Sequence, residues 1–251
     1  IENLKNLIKQ KKINNFNLAS SFFILADFEK RKKNFDKELE LITKGNNFSF
    51  KENEFKNNQY NDYWLKSISK NFNKVKFIKK TKFIDEVKNI NPIFIIGLPR
   101  SGSTLIESII SSGIEKVENL GETNLINWAL LNTYRNFNNL LIQNEKIDID
   151  VDKVFEKFNR SIKNLNINKK EKKIFFSEKS LENFYYIELI LNMYPNTKFI
   201  HPYRNLTDNV FAIYKQFLPN ISWSHSIENI LLYIDNYLNT LDYFKKKYSN
   251  K

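Results

Sequence analysis

Ile93-Phe-Ile-Ile-Gly97-Leu-Pro99-Arg100-Ser101-Gly102-Ser103-Thr104-Leu-Ile106 reads as a buried strand that runs into a tight loop and then into a helix. The apolar run is strand-sized, and glycine closes it. Backbone N–H groups in such a loop, backed by the positive end of a helix, form a cradle for an anion. Gly97 permits an unusual turn, and Gly102 lets a ligand approach the backbone closely. Ser101, Ser103 and Thr104 add hydroxyl donors, and Arg100 adds a planar fork of N–H groups. The spacing of Gly97 and Gly102, with Thr104, matches the motif G-x-x-x-x-G-K-[ST]. Ser103, however, stands where that motif needs the lysine that reaches the terminal phosphates of a nucleoside triphosphate. A phosphate-bearing ligand other than ATP is expected. A divergent P-loop nucleotide kinase or NTPase is the alternative that the glycine spacing leaves open.

Outward from this loop, strand-like and helix-like stretches alternate from Ile90 onward, the signature of a parallel sheet with crossover helices. The pattern predicts a helix over Thr104–Ser112 stopped by Gly113, a short strand over Glu115–Asn119, and helices over Thr123–Leu141 and Val151–Asn164. It then predicts a strand over Lys173–Ser177, a helix over Leu181–Tyr194, a strand over Lys198–Pro202, and helices over Leu206–Phe217 and Ser226–Tyr248. Before the loop, Leu18, Phe22, Leu25 and Ala26 recur at helical spacing, as do Phe35, Leu39 and Ile42, and Gly45 is expected to end the second helix. The pair is similar to one degenerate tetratricopeptide repeat, with Leu25-Ala26 at its Leu-Gly position and Glu38 where it carries Ala; two ordinary packed helices fit as well. Asn46–Asn58 reads as a polar linker, and Asn61–Phe72 as helical. The expected division is a helical segment over 1–46, a linker and helix over 47–89, and a main domain over 90–251.

Composition narrows the chemistry. The chain has 251 residues, 41% hydrophobic and 27% charged, ordinary for a folded globular protein. Cysteine is absent and there are two histidines, His201 and His225, which excludes thiol nucleophiles and Cys-based zinc sites and disfavours a His-rich metal centre. The formal charge of +12 comes from lysines spread along the whole chain, so a solvated surface and no nucleic-acid partner are expected. No run approaches the ~18 apolar residues of a membrane span. No secretory pattern opens the chain, so a cytoplasmic location is expected; the first residue is Ile1, as in a fragment or trimmed chain. Four of the five glycines lie between Gly97 and Gly121, and the five arginines include Arg100 and Arg204. Each of these two arginines follows a strand-like run, where ligands bind in open α/β sheets. His201, inside a predicted strand, reads as a satisfied histidine.

Pro99-Arg-Ser-Gly-Ser-Thr104 resembles the 5′-phosphosulfate loop of sulfotransferases, which reads Pro-Arg-Ser-Gly-Thr-Thr; Ser103 keeps the hydroxyl. The chain is most similar to bacterial sulfotransferases that carry tetratricopeptide repeats, and more distantly to tyrosylprotein sulfotransferases. The resemblance runs from about Asn91 to Phe244. It takes in Gly121-Glu122, then Glu178-Lys179-Ser-Leu-Glu-Asn183-Phe184, then Phe199-Ile-His-Pro-Tyr-Arg204-Asn, in family order. It implies an α/β, P-loop-like three-layer fold with a mostly parallel central sheet flanked by helices, here preceded by a short all-helical segment. It implies a sulfotransferase that uses 3′-phosphoadenylyl sulfate as donor, needs no metal, and takes a small-molecule, carbohydrate or peptide acceptor through a hydroxyl or amine. The N-terminal helices offer a place for protein contact.

The roles follow from the same resemblance. Glu122 is the general base; a helix-starting glutamate that complements the helix dipole is the plainer reading. Arg100 binds the phosphosulfate and counters its growing charge, and Lys179 meets the leaving oxygen. Ser101, Gly102, Ser103 and Thr104 hold the 5′ end, and Arg204 holds the 3′-phosphate. Two departures stand out. Ala212 occupies the place where the family carries a serine for the 3′-phosphate. The further strand, Tyr-Glu segment and Gly-rich loop of the family are not seen after the last helix, so the domain is expected to be incomplete at its C-terminus. A non-catalytic repeat-type binding protein with an inherited anion pocket is the third reading.

Overall fold

The computed structural model describes residues 2–9, 13–79, 90–113, 117–144, 146–164 and 174–248. The chain divides into two compact units, Ile1–Lys66 with Asn205–Asn236, and Ser67–Arg204 with Tyr237–Lys251.

The first unit has helices and turns but no strand among its described residues. Asn14 caps the helix Asn15–Arg31 by accepting the Asn17 N–H at 2.9 Å, the bond a helix start needs for one of its free donors. That helix lies against Phe35–Glu52, and Leu25, Ala26, Leu41 and Ile42 form their shared core. Gly45 does not end the second helix, which continues through it to Glu52. A Cβ at Gly45 would come within 2.9 Å of the Phe23 ring and 3.3 Å of the Ala19 carbonyl, so the glycine serves a close helix crossing. The inward face is Glu38, Leu41, Ile42, Gly45, Asn46 and Ser49. Phe35 and Leu39, expected on that face, are exposed.

The stretch expected as a polar linker is also helical, over Phe35–Glu52 and Glu54–Asn61. Its polar residues are interior ones: Asn46 Nδ2 donates to the Tyr214 carbonyl at 3.1 Å, and Ser49 Oγ and Asn46 Oδ1 each lie 3.3 Å from His225. The expected helix over Asn61–Phe72 is present, wound as a π-helix over Asp62–Ile68.

The second unit carries the sheets. Strands β1 (Val75–Ile78), β2 (Ile90–Ile95), β3 (Val117–Asn119), β4 (Ile147–Asp150), β5 (Ile174–Glu178) and β6 (Lys198–Ile200) form two parallel sheets. One is the pair β1–β4, which the sequence pattern did not suggest because Ile147-Asp-Ile-Asp150 is short and half acidic. The other has the order β3-β5-β2-β6, every pairing parallel. Phe94, Ile95 and Phe176 are buried in it. Pro92, with no N–H to give, lies before the pairing of β2 with β6 begins at Ile93, where a central strand can accept it.

Helices flank the strands. Ser103–Ser111 follows β2 and ends as expected at Gly113, whose N–H bonds the Ile110 carbonyl at 3.2 Å. Val151–Asn164 buries Val154, Phe155, Phe158 and Ile162. The expected helix over Thr123–Leu141 is two, Leu125–Thr133 and Phe137–Gln143. The first starts only after Asn124, which is left-handed at φ +52°. Leu181–Tyr186 is a 3-10 turn leading into the helix Ile187–Met193. Glu115, Lys116 and Lys173, expected as strand residues, lie outside the described residues. The architecture is the expected α/β one, P-loop-like, with parallel strands flanked by helices and a helical segment before them.

Candidate active site

Because every strand of the β3-β5-β2-β6 sheet runs the same way, their carboxyl ends share one edge, where ligands bind in such sheets. From β3 comes Gly121-Glu122, from β5 Glu178-Lys179, from β2 the loop 96–102, and from β6 the segment 201–204. The four blocks quoted from the sequence therefore meet along one rim.

The loop after β2 is pinned at its start by the Ile96 N–H on the Ile200 carbonyl, 2.9 Å, and turns with the Ser101 N–H on the Leu98 carbonyl, 3.3 Å. Arg100 has φ +64° and Gly102 φ +101°. Left-handed geometry at a non-glycine residue costs about 1–2 kcal/mol, and such conformations gather at ligand clamps. Gly97 lies so close to Ser101 that a Cβ there would sit 3.1 Å from the hydroxyl oxygen. Ser101 Oγ is buried and has no hydrogen-bond partner among the described residues, a state that normally calls for a ligand or water. Gly102 stands at the N-cap of the helix Ser103–Ser111 and gives its first-turn N–H groups no side-chain cap. Ser103 is buried and Thr104 exposed. The Arg204 guanidinium donates from Nη1 to the Arg100 carbonyl at 3.1 Å. The two arginines, 104 residues apart, thus stand side by side at the loop. A buried hydroxyl without a partner at a helix start, beside the Arg100–Arg204 contact, suits an anionic ligand.

Glu122 and Lys179 also meet. Lys179 Nζ lies 2.7 Å from Glu122 Oε1, the lysine side chain 10% exposed and the glutamate 51%. The β3–β5 ladder extends past its strands to hold them: the Leu120 N–H bonds the Ser177 carbonyl and the Lys179 N–H bonds the Gly121 carbonyl, both 2.9 Å. Gly121 has φ +67°, which glycine reaches without strain. Glu178, the residue before Lys179, is buried, its carboxylate taking bonds from Thr123 Oγ1, the Ser180 N–H and hydroxyl, and Asn183 Nδ2. Burial pushes its pKa up against those bonds. Glu182 is pushed up to about 7, chiefly by burial of its carboxyl and next by the Glu122 and Glu178 charges.

Of the residues predicted for the site, Arg100, Ser101, Gly102, Ser103 and Thr104 form one loop, Arg204 touches it, and Glu122 pairs with Lys179. His201 is a satisfied histidine bonded to the Tyr237 hydroxyl, and burial lowers its pKa. Phe184, Tyr185 and Tyr186 are core. Glu107 and Ser177 were not singled out in the sequence. Glu107 lies in an apolar and hydroxyl-rich helix where a lone carboxylate is out of keeping, which is the signal that could have found it.

The fold is a P-loop-like α/β one whose loop lacks the triphosphate lysine. A model of the sulfotransferase family matches residues 92–249, from β2 through all four rim segments, and the chain belongs to the sulfotransferase family. It is thereby a transferase, with a sulfuryl group as its cargo. No curated protein matches the chain. No helix among the described residues is long and apolar enough to cross a membrane.

Proposed function

We propose that the chain transfers a sulfuryl group from 3′-phosphoadenylyl sulfate to a hydroxyl or amine acceptor by in-line displacement. The observation that carries this reading is the Glu122–Lys179 pair held on the same sheet edge as a loop with an orphan Ser101 hydroxyl and two adjoining arginines. Arg100, the Ser101, Ser103 and Thr104 hydroxyls and the N–H groups around Gly102 bind the 5′-phosphosulfate. Arg204 binds the 3′-phosphate, which separates this donor from ATP.

Lys179 has two duties in sequence. Before donor binding it occupies Glu122 Oε1. With donor present it turns to the bridging oxygen between phosphorus and sulfur, and Oε1 is released to accept a proton. The acceptor oxygen or nitrogen then forms its bond to sulfur as the bond from sulfur to the bridging oxygen breaks. The acceptor proton goes to Glu122. The electron pair of the broken bond stays on 3′-phosphoadenosine 5′-phosphate, where Lys179 and Arg100 offset the new charge. These fixed cations leave no step that requires a metal.

The test is sulfate transfer from 3′-phosphoadenylyl sulfate to a panel of phenols, sugars and tyrosine peptides, together with calorimetric binding of 3′-phosphoadenosine 5′-phosphate. Glu122→Gln is expected to keep product affinity and to lose about 10²–10⁴-fold in turnover. Failure of the wild-type chain to bind that nucleotide abandons the donor assignment. Equal loss of affinity and turnover in Glu122→Gln rejects the base role.

A further inference from the structure

Glu107 lies about one turn into the helix Ser103–Ser111 behind the phosphate loop and is 6% exposed. A carboxylate so buried is costly unless donors surround it. Its Oε1 accepts the Gly121 N–H at 3.3 Å and the Ser177 hydroxyl at 3.1 Å. Ser177 has one proton and also faces Asn119 Oδ1 at 3.0 Å; the charged oxygen is the stronger acceptor. One carboxylate oxygen therefore joins three segments: the helix of the phosphate loop, the end of β5 two residues before Lys179, and the turn that carries Glu122.

The bond to Gly121 matters most. The carbonyl of Gly121 is already taken by the Lys179 N–H. With its N–H taken by Glu107, both backbone polar groups of this positive-φ residue are fixed, and the direction in which Glu122 leaves the turn is fixed with them. The anchor comes from the element that holds the donor, so the base is set relative to the donor and not merely to its own strand.

We propose that Glu107 is a positioning residue: it locks the Gly121-Glu122 turn to the phosphate-loop helix and so sets the base against the bound donor. This rests on the reading of Glu122 as the base. Misplacement of a catalytic group by about 1 Å can cost about 10²-fold.

Glu107→Met keeps the volume and removes the acceptor; Glu107→Gln keeps one acceptor oxygen without the charge. The experiment measures kcat, affinity for 3′-phosphoadenosine 5′-phosphate, and hydrogen exchange of the Gly121 amide, in the wild-type, Glu122→Gln and combined backgrounds. The expected result for Glu107→Met is a fall in kcat of about 10–100-fold, nucleotide affinity unchanged, and Gly121 exchange about tenfold faster or more. In the Glu122→Gln background the added loss is close to none, because a turn without its base has nothing left to aim. Glu107→Gln should restore most of kcat; if Glu107→Met does not fold, its smaller acceleration of Gly121 exchange carries the test. Equal loss on both backgrounds, or unchanged Gly121 exchange in both Glu107 variants, overturns the proposal. Full turnover in Glu122→Gln, with Gly121 exchange still accelerated by loss of Glu107, removes the base reading while the anchoring of the turn stands.

Discussion

Arg204 touches the phosphate loop before any ligand does, through the Arg100 carbonyl at 3.1 Å. A residue that only gripped a 3′-phosphate would be silent toward ligands lacking one. Arg204→Ala is therefore expected to weaken 3′-phosphoadenosine 5′-phosphate strongly, and to weaken adenosine 5′-phosphate by a smaller but measurable factor, because the left-handed turn at Arg100 loses a brace; calorimetry with both nucleotides decides it. Gly121 offers a second prediction. At φ +67° a Cβ would meet nothing within 4 Å, so the cost of Gly121→Ala is conformational alone, about 1 kcal/mol, read by urea unfolding. Turnover should fall further than that figure implies, since Glu122 follows directly. At this scale the loop stood out by residue type and spacing, and the family resemblance picked out Glu122, Lys179 and Arg204, which the structure brings to one edge of the sheet. Glu107 and Ser177 did not, because a buried carboxylate is meaningful only once its donors, 14 and 70 residues away, are seen beside it.

Elements behaved less uniformly. Helices with clear stops, such as Ser103–Ser111 before Gly113 and Val151–Asn164, follow from local pattern. Phe35–Glu52 does not, because a glycine inside a helix is ambiguous between a stop and a close crossing. The packing of Phe23 against Gly45 resolves it. Gly45→Leu is expected to destabilise the helical unit by about 1–3 kcal/mol through overpacking, despite leucine's better helix propensity; a stabilised variant in thermal melts would contradict the crossing. Thr123 and Asn124 illustrate the same competition. Thr123 is drawn to Glu178 at 3.0 Å and the Asn124 N–H to Ser180 Oγ at 2.7 Å, so the helix begins only at Leu125.

Over the whole molecule, buried His225 and half-buried Glu182 make stability depend on pH in opposite directions, one in each unit. His225 is held neutral: burial lowers its pKa from 6.5 to about 4. Between those values the unfolded chain binds the proton and the folded one does not. The N-terminal helical unit therefore loses stability as pH falls from about 6.5 toward 4, by on the order of 3 kcal/mol at most. Glu182 has the reverse effect, its pKa raised from 4.5 to about 7. Here the folded chain keeps the proton, so the sheet unit is favoured below about 4.5 and loses that contribution as pH rises through 7. His225→Asn should flatten the acid limb of the helical unit, and Glu182→Gln the neutral limb of the sheet unit, followed by hydrogen exchange of each unit separately; unchanged slopes would refute the assignments. The strand, loop and helix around Gly97 and the α/β class were legible in the sequence alone, because propensity and turn chemistry act over a few residues. The rim was decided only by the tertiary structure. Which strands neighbour one another sets which side chains meet, and the pairing of β2 with both β5 and β6 follows from long-range packing that no local pattern carries.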